Sequence, residues 1–389
     1  MKIGILTYHH VTNDGAILQT LGHLYTLQDL YPNAQIEVID YRSLNIEKSE
    51  WIASLKSFLP WRWNGMSKVR KLLHLKSFVN NHMTLSSSRL VSNDWVKASA
   101  FIENQKYDAV IVGSDEVWKI VNKRYSRKFP NIYWLPLPLK AIKIASAASA
   151  NKSDESLIKQ ENIQQQMRTF LDDFQRIAAR DQFTFELVKS NISDPTKVYQ
   201  VPDPTFGIEF NTEVRQKLIK YGVDFNKKVI ALSFSSNPVL FSKIADSIRK
   251  YADEQNIQLV AIGQQNKYAH VDLTGHLDPL EWASSYKHFS FCITDRFHSA
   301  IFSIKNITPF LAIELSSKYD GSYKGKVVDL LTKCNMMNAH RFISGTDIDI
   351  LKIINDLEKS HNPEMMKKVV NDFMISFRAH LNESLSSIA

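Results

Sequence analysis

Short apolar runs that end in small or polar residues alternate along this chain with stretches whose apolar residues recur at helical spacing. The first run, residues 2–8 (KIGILTY), predicts a strand, and Ile17, Leu21 and Leu24 mark the buried face of a helix from residue 15 to about 31. A second strand is predicted at 35–41. Parallel strands need such a helical crossover, so the chain opens as a Rossmann-like unit. It carries no G-x-G-x-x-G, which removes support for dinucleotide binding. Ala109 to Val112 predict a fully buried strand, and further strands fall at 142–149 and 176–181, joined by a helix over about 154–173. This alternation predicts a mainly parallel sheet.

Residues 201–205 (VPDPT) predict a boundary, because two prolines stiffen the segment and cannot continue a central strand. A second α/β series follows, with strands at 229–234, 258–263, 289–294 and 308–313 and helices at about 240–254 and 280–286. The end of the chain is helical: Ile348, Leu351 and Leu357 stripe one segment, and Met366, Val370, Phe373, Phe377 and Leu381 stripe another. The expected fold is therefore α/β, two Rossmann-like domains at 1–204 and 205–345 with C-terminal helices at 346–389 packing back on the body. It resembles the glycosyltransferase B (GT-B) arrangement, in which the active site lies in the cleft between domains.

The most informative stretch is 289–304, FSFCITDRFHSAIFSI. It reads as strand, tight turn and helix. Thr294 and Asp295 are N-cap residue types, and Ala300, Ile301 and Ile304 share one helical face. Arg296, Phe297 and His298 then fall in the first helical turn, where open backbone N–H groups and the helix dipole favour an anion. The other reading pairs Arg296 with Asp295 or a neighbouring acid and makes His298 a satisfied helix-start histidine.

With 389 residues, 44% of them hydrophobic, and only 12 Gly and 12 Pro, the chain is long enough for two ordered cores. No apolar signal region precedes Lys2 and no run of 18 apolar residues occurs, so a cytoplasmic protein is expected. Two cysteines, Cys292 and Cys334, fit a reducing compartment and supply no zinc site by themselves. The net charge of +8 calls for an acidic partner: nucleic acid, an anionic membrane face or a phosphorylated substrate. Nucleic acid is disfavoured for want of a reader motif.

Two acid-free segments carry much of this charge. Residues 51–82 combine Trp51, Phe58, Trp61, Trp63 and Met66 with Lys56, Arg62, Lys68, Arg70, Lys71 and Lys76. Residues 118–143 combine Lys119, Lys123, Arg124, Arg127, Lys128, Lys140 and Lys143 with Tyr125, Phe129, Tyr133 and Trp134. Residues 51–82 read either as an interfacial helix or as a helical excursion whose aromatic residues pack on the domain while the lysines are solvated. The two segments together read as a basic surface facing a membrane or glycan, with solvated loop as the other reading of either. His9 and His10 are adjacent, so they point to opposite faces of an extended segment and are expected as turn or surface residues rather than metal ligands.

Six elements together resemble the polysaccharide pyruvyl transferase family, in its order and over nearly the whole chain. They are Asn13, Gly15 and Ala16 with Gln19; YDAVIVGSDEVW at 107–118; the strand at 143–150 ending in Ala-Ser; the Arg-acid strand end at 178–181; Asp203-Pro204-Thr205; and TDRFHSAIFSI at 294–304. Glu116 stands where many members carry Gln, and Ser149-Ala150-Asn151 replaces the usual Phe-Gly pair after Ala-Ser.

The resemblance implies an enzyme of cell-surface polysaccharide (exopolysaccharide) biosynthesis. It would transfer pyruvate from phosphoenolpyruvate to two hydroxyls of a sugar in a glycan or lipid-linked glycan precursor, leaving a cyclic ketal and phosphate. No cofactor and no metal is expected, phosphoenolpyruvate being a co-substrate. A phosphate and a carboxylate on the donor call for at least two cationic groups. The expected donor site is Arg180, Arg296, Phe297, His298 and Ser299, with Arg180 and Arg296 meeting on one ligand. His298 is expected as general acid or phosphate ligand. Asp115 is expected as base or orienting acceptor for the sugar hydroxyl, unless it caps a helix starting at Glu116. Asn13, Gly15, Ser114, Asp115 and Trp118 are expected on the acceptor side, with burial as the other reading of Trp118. A lipid-linked acceptor would bring the protein to the inner membrane face as a peripheral protein. The rivals are a GT-B enzyme using a nucleotide sugar and a non-catalytic glycan-binding or assembly protein.

Overall fold

The computed structural model describes residues 1–56, 65–121, 128–235, 238–315, 325–343 and 349–388. Phe58, Trp61, Arg62 and Trp63, then Lys123, Arg124, Tyr125 and Arg127, and also Ile348 and the expected boundary at 345 lie outside them. The chain divides into two compact units, one made of Met1–Leu59, Lys76–Glu209 and Asp372–Ala389, the other of Pro60–Leu75 and Phe210–Asn371.

In chain order the elements up to residue 200 are β1 (Lys2–Leu6), α1 (Asp14–Leu30), β2 (Gln35–Val38), β3 (Tyr41–Arg42), α2 (Leu44–Lys56), α3 (Gly65–His82), β4 (Leu90–Val91), α4 (Trp95–Asn104), β5 (Ala109–Val112), β6 (Ile142–Ala148), α5 (Glu155–Ile158), α6 (Glu161–Asp172), β7 (Arg176–Ala179), α7 (Gln182–Ser190) and β8 (Val198–Gln200). Six strands form one sheet in the order β2-β1-β5-β6-β7-β8. Every pairing in it is parallel, so all carboxyl ends share one edge. The helix expected over 154–173 is split, because Gln160 takes an extended conformation between α5 and α6. Ile158 on one piece and Met167 and Leu171 on the other are all buried.

The second unit follows the same plan with α8 (Arg215–Lys220), β9 (Val229–Ser233), α9 (Pro238–Glu254), β10 (Gln258–Ala261), β11 (Val271–Asp272), α10 (Pro279–Ser285), β12 (Phe291–Thr294), α11 (Phe297–Lys305), β13 (Phe310–Leu315), α12 (Lys326–Lys333), β14 (His340–Ile343) and α13 (Ile350–Lys359). Its sheet, β11-β10-β9-β12-β13-β14, is again wholly parallel. A capping box between Asp278 and Glu281 starts α10.

The units do not divide at 204 and 345 as the sequence suggests. The chain ends in α14 (Pro363–Leu385), whose later residues belong to the first unit. There Phe377, Leu381 and Leu385 are fully buried, with the Phe377 ring 5.3 Å from His23 and Phe373 5.0 Å from Phe206. Residues 205–209 stay with the first unit because α1 lies directly against them. A Cβ on Gly22 would come within 2.3 Å of the Pro204 carbonyl oxygen, and Thr26 Oγ1 donates to Gly207 O at 3.2 Å.

That packing encloses two histidines. His23 Nε2 lies 2.8 Å from Ser146 Oγ, and His380 Nδ1 lies 2.5 Å from Tyr199 Oη. Burial lowers the His23 pKa to about 4. Burial, with help from His23 and Arg176, lowers that of His380 to about 3. Both are neutral when folded, whereas the unfolded chain takes up their protons below about 6.5. Their contribution to stability is therefore complete above pH 6.5 and is lost as pH falls toward 4 and 3. The urea midpoint should drop steeply between pH 7 and 5, with a shallower slope in His380→Gln; an unchanged slope would show that the pair does not titrate on unfolding.

Candidate functional site

In the second unit, β12 ends at Thr294 and α11 begins at Phe297, with Arg296 as the N-cap residue in an extended conformation (φ −107°, ψ 132°). No side chain caps this helix. Asp295, expected as a cap type, is drawn across to the end of β9, where it accepts from the backbone N–H (2.5 Å) and hydroxyl of Ser235. Arg296 N donates to Thr294 Oγ1 at 2.9 Å, and that hydroxyl donates to Ser233 O at 2.6 Å. The turn is thus held by strand-end hydroxyls, which leaves the backbone N–H groups at the start of α11 without a side-chain cap.

Phe297 and His298 are both 7% exposed, with ring centroids 5.3 Å apart, and the His298 ring stacks toward Phe302. Ser299 is fully buried and its hydroxyl shares a 2.7 Å hydrogen bond with Ser233 Oγ. Of the expected donor residues, Ser299 can therefore offer an anion its N–H, while its hydroxyl is engaged inside. The ion pair between Arg296 and Asp295 is not among the contacts of the described residues.

Two further residues reach Arg296. Gly263, just past β10, has φ +79°, and a Cβ there would lie 3.0 Å from Arg296 Nη1 and 3.3 Å from Trp282 Nε1. Both nitrogens are buried and make no hydrogen bond among the described residues. Lys71 Nζ donates to Gly263 O at 2.9 Å, and Arg70 Nη1 lies 2.7 Å from His276 Nε2. Two cations expected on a membrane-facing or solvated surface thus bind within the unit instead. Sequence reading missed Gly263 and Trp282: Gly263 ends a strand pattern and Trp282 sits in an apolar helix pattern, so each looks structural.

In the first unit the chain leaves β1 toward β2 on one side and reaches β5 on the other, so the carboxyl ends of β1 and β5 flank a topological switch point. Asn13 lies there as the N-cap of α1, its Oδ1 accepting from Gly15 N at 3.1 Å. Opposite it, Gly113 has φ +122°, and a Cβ on it would strike Ser146 O at 2.1 Å, so only glycine fits. Ser114 is fully buried. Asp115 has φ +71° and caps no helix, because its carbonyl accepts from Val117 N (2.7 Å) and Ser149 N (3.0 Å) in a turn. Its carboxylate keeps partial exposure and lies 3.6 Å from Arg180 Nη2.

Arg180 is 4% exposed. Its Nη1 donates to Asp203 Oδ2 at 3.2 Å. Burial pushes its pKa down, but Asp203, Asp115, Asp181 and Glu116 outweigh burial and the net direction is up. Asp203 also accepts from Gln19 Nε2 (2.5 Å), Thr205 N (3.1 Å) and Thr205 Oγ1 (2.8 Å). Asp181 accepts from Ser149 Oγ at 2.6 Å. Residues from all five of the earlier sequence elements therefore gather at this sheet edge, and the guanidinium expected on the donor is held by carboxylates of its own unit.

Three expectations need correction here. Trp118 is fully buried, donating from Nε1 to Tyr133 O at 2.8 Å and stacking on Trp134 at 5.0 Å, so it offers no face to a sugar. Much of 118–143 is likewise core: Tyr133 and Trp134 are buried, and Lys143 Nζ donates to Leu135 O, Leu137 O and Asp173. His9 and His10 are neither surface residues nor splayed apart. Their rings meet at 5.1 Å, and His9 lies 3.1 Å from Asp40, which also binds Arg42 and Arg89. Burial would raise the Asp40 pKa, but these three donors hold it well below the carboxylate range. Burial, His9 and Arg42 lower that of His10.

In 51–82, by contrast, Trp51 is 57% and Leu73 61% exposed, and Lys76 Nζ stands 4.8 Å over the Trp51 ring. No group of three or more His, Cys, Asp or Glu among the described residues is placed to hold a metal, and no described helix is long and apolar enough to cross a membrane.

A family model described as polysaccharide pyruvyl transferase matches residues 13–317. No curated protein matches the chain. Among solved structures, the S. aureus MnaA complex with UDP is similar with a TM-score of 0.55 and 13% identity over 100% of this chain and 97% of that one. The UDP-GlcNAc 2-epimerase of Neisseria meningitidis bound to UDP-GlcNAc gives 0.56 and 12% over 100% of both chains. A putative UDP-N-acetylglucosamine 2-epimerase from Listeria monocytogenes gives 0.59 and 10% over 100% and 96%. At such identities the likeness shows the fold, which is GT-B-like.

Proposed function

Because the chain belongs to the polysaccharide pyruvyl transferase family, whose model spans residues 13–317, we propose that it transfers pyruvate from phosphoenolpyruvate to two hydroxyls of a sugar, leaving a ketal and phosphate. The observation that carries this reading is Arg296-Phe297-His298 at the start of an α11 that no side chain caps, on the carboxyl edge of a parallel sheet. There the N–H groups of α11 and the Arg296 guanidinium receive a phosphate. His298 protonates the methylene carbon of the enol, which makes C2 oxocarbenium-like. A sugar hydroxyl adds at C2, phosphate leaves, and the second hydroxyl closes the ketal.

In this reading the first unit serves the acceptor, with Asp115 as base or orienting acceptor and Asn13, Gly15 and Ser114 shaping the switch point beside it. Arg180 positions Asp115 rather than holding the donor. The reaction uses no cofactor and belongs in the cytoplasm.

The test is release of phosphate from phosphoenolpyruvate in the presence of sugar and lipid-linked acceptors. The rival nucleotide-sugar reading is favoured by relatives of this fold whose structures hold UDP or UDP-GlcNAc. Thermal-shift titration separates the two, since phosphoenolpyruvate should raise the melting temperature and a panel of uridine nucleotides should not. A non-catalytic glycan binder would release no phosphate with any acceptor.

Peripheral binding to an anionic membrane is proposed for the exposed Trp51 within its acid-free segment. Co-sedimentation with anionic liposomes at low salt should capture the protein, and Trp51→Ala should weaken that capture.

A further inference from the structure

We propose that the outward face of α2, formed by Leu44, Lys48, Trp51 and Ile52, docks on an anionic lipid bilayer and that α2 thereby holds the loop at 9–13 to the membrane surface. This rests on the peripheral-membrane reading and goes beyond it by naming the face that inserts and the loop that the face is tied to.

The four residues recur at i, i+4, i+7 and i+8, so they share one side of the helix. Leu44 is 36%, Trp51 57% and Ile52 51% exposed, and Lys48 is exposed with them. A surface helix ordinarily turns its apolar side inward. On α2 the inward side carries the acids instead. Beside Ile46, which packs on the core, Glu47 accepts from Arg42 Nη1 at 3.4 Å. Glu50 accepts from Thr12 N at 3.3 Å and from the Thr12 hydroxyl. These are the two acids of α2, so turning them inward leaves an outer face that is apolar and cationic.

Such a face fits a partner with an apolar interior and negative headgroups. Trp51 and Ile52 supply the apolar part. Lys76 Nζ, 4.8 Å over the Trp51 ring, sets a cation where an indole meets the headgroups. A second copy of the chain fits less well, because two such faces meeting about a two-fold axis would bring Lys48 and Lys76 toward their own counterparts.

The inward carboxylates give docking a consequence. Thr12 precedes Asn13, the N-cap of α1 at the switch point, and Glu50 holds Thr12 by backbone and side chain. Arg42, bound by Glu47, also donates to Asp40 at 2.7 Å, and Asp40 lies 3.1 Å from His9. Both acids of α2 therefore lead to the loop at 9–13, and a bilayer that fixes the helix also fixes that loop.

The experiment is co-sedimentation of the full chain with vesicles of phosphatidylglycerol and phosphatidylcholine, and of phosphatidylcholine alone, at low salt. It compares wild type, Ile52→Asp, Lys76→Gln and Ile375→Asp, with melting curves to confirm that the variants fold. Ile375 on α14 is 57% exposed, the same as Trp51, so its variant controls for making any exposed apolar residue acidic. Wild type should bind the anionic vesicles, Ile52→Asp at least about tenfold more weakly, and Lys76→Gln about fivefold more weakly. Ile375→Asp should bind as wild type does. Equal loss in Ile52→Asp and Ile375→Asp, or no loss in Ile52→Asp, would overturn the assignment of α2. Failure of the wild type to bind anionic vesicles would instead remove the peripheral-membrane reading on which the assignment rests. Amide hydrogen exchange reads the tie to the loop. Residues 9–13 should exchange more slowly on anionic vesicles in wild type, and Glu50→Ala should bind the vesicles yet lose that slowing. Unchanged exchange of 9–13 in vesicle-bound wild type would overturn the tie.

Discussion

His298→Ala should lower turnover by about 100-fold to 10,000-fold, the usual cost of removing a placed general acid. The ring is buried against Phe297 and Phe302 but belongs to the first turn of α11, so its loss removes a proton donor without unlocking the strand-end hydroxyls that hold the turn. Initial rates of phosphate release at saturating phosphoenolpyruvate, with a melting curve as control, measure this directly. A folded variant with near-wild-type turnover would take His298 out of the chemistry.

Arg180→Leu should destabilise the first unit by about 3–5 kcal/mol, because it strands the carboxylates that the guanidinium now neutralises. Asp203 is 2% exposed and accepts from Gln19, Thr205 and Arg180, so it cannot turn to water when the arginine goes. Adding Asp203→Asn to Arg180→Leu should restore part of the loss, because the two side chains are coupled. The melting temperatures of the single and double variants report both effects. If Arg180→Leu instead melts like wild type and loses phosphoenolpyruvate affinity, the arginine serves the donor, as the sequence alone suggested.

The fold was legible because strand runs and helical stripes are local patterns, and both parallel sheets follow from them. Arg296 to Ser299 were legible for the same reason: strand, turn and helix lie within one short stretch. What the sequence hid is non-local. The Gly22 approach to Pro204 ties residues 205–209 to the first unit, and Phe377 against His23 ties the end of α14 to it. Lys143 read as a surface group and Trp118 as either a sugar platform or a buried ring because aromatic and basic residues alternate around them, and only the packed fold shows Trp118 stacked on Trp134 and Lys143 donating to backbone carbonyls. His9 and His10 misled because strand alternation fails where the chain turns at the end of β1. Gly263 and Trp282 carry no local signal, since their closeness to Arg296 appears only in the packed fold.

The central claim is that phosphoenolpyruvate binds at Arg296 and the start of α11. Calorimetric titration of phosphoenolpyruvate into wild type and Arg296→Ala tests it most directly. Saturable binding at one site in the wild type, weakened at least about tenfold in the variant, is the predicted result. No saturable binding to the wild type, or equal affinity in the folded variant, would contradict it.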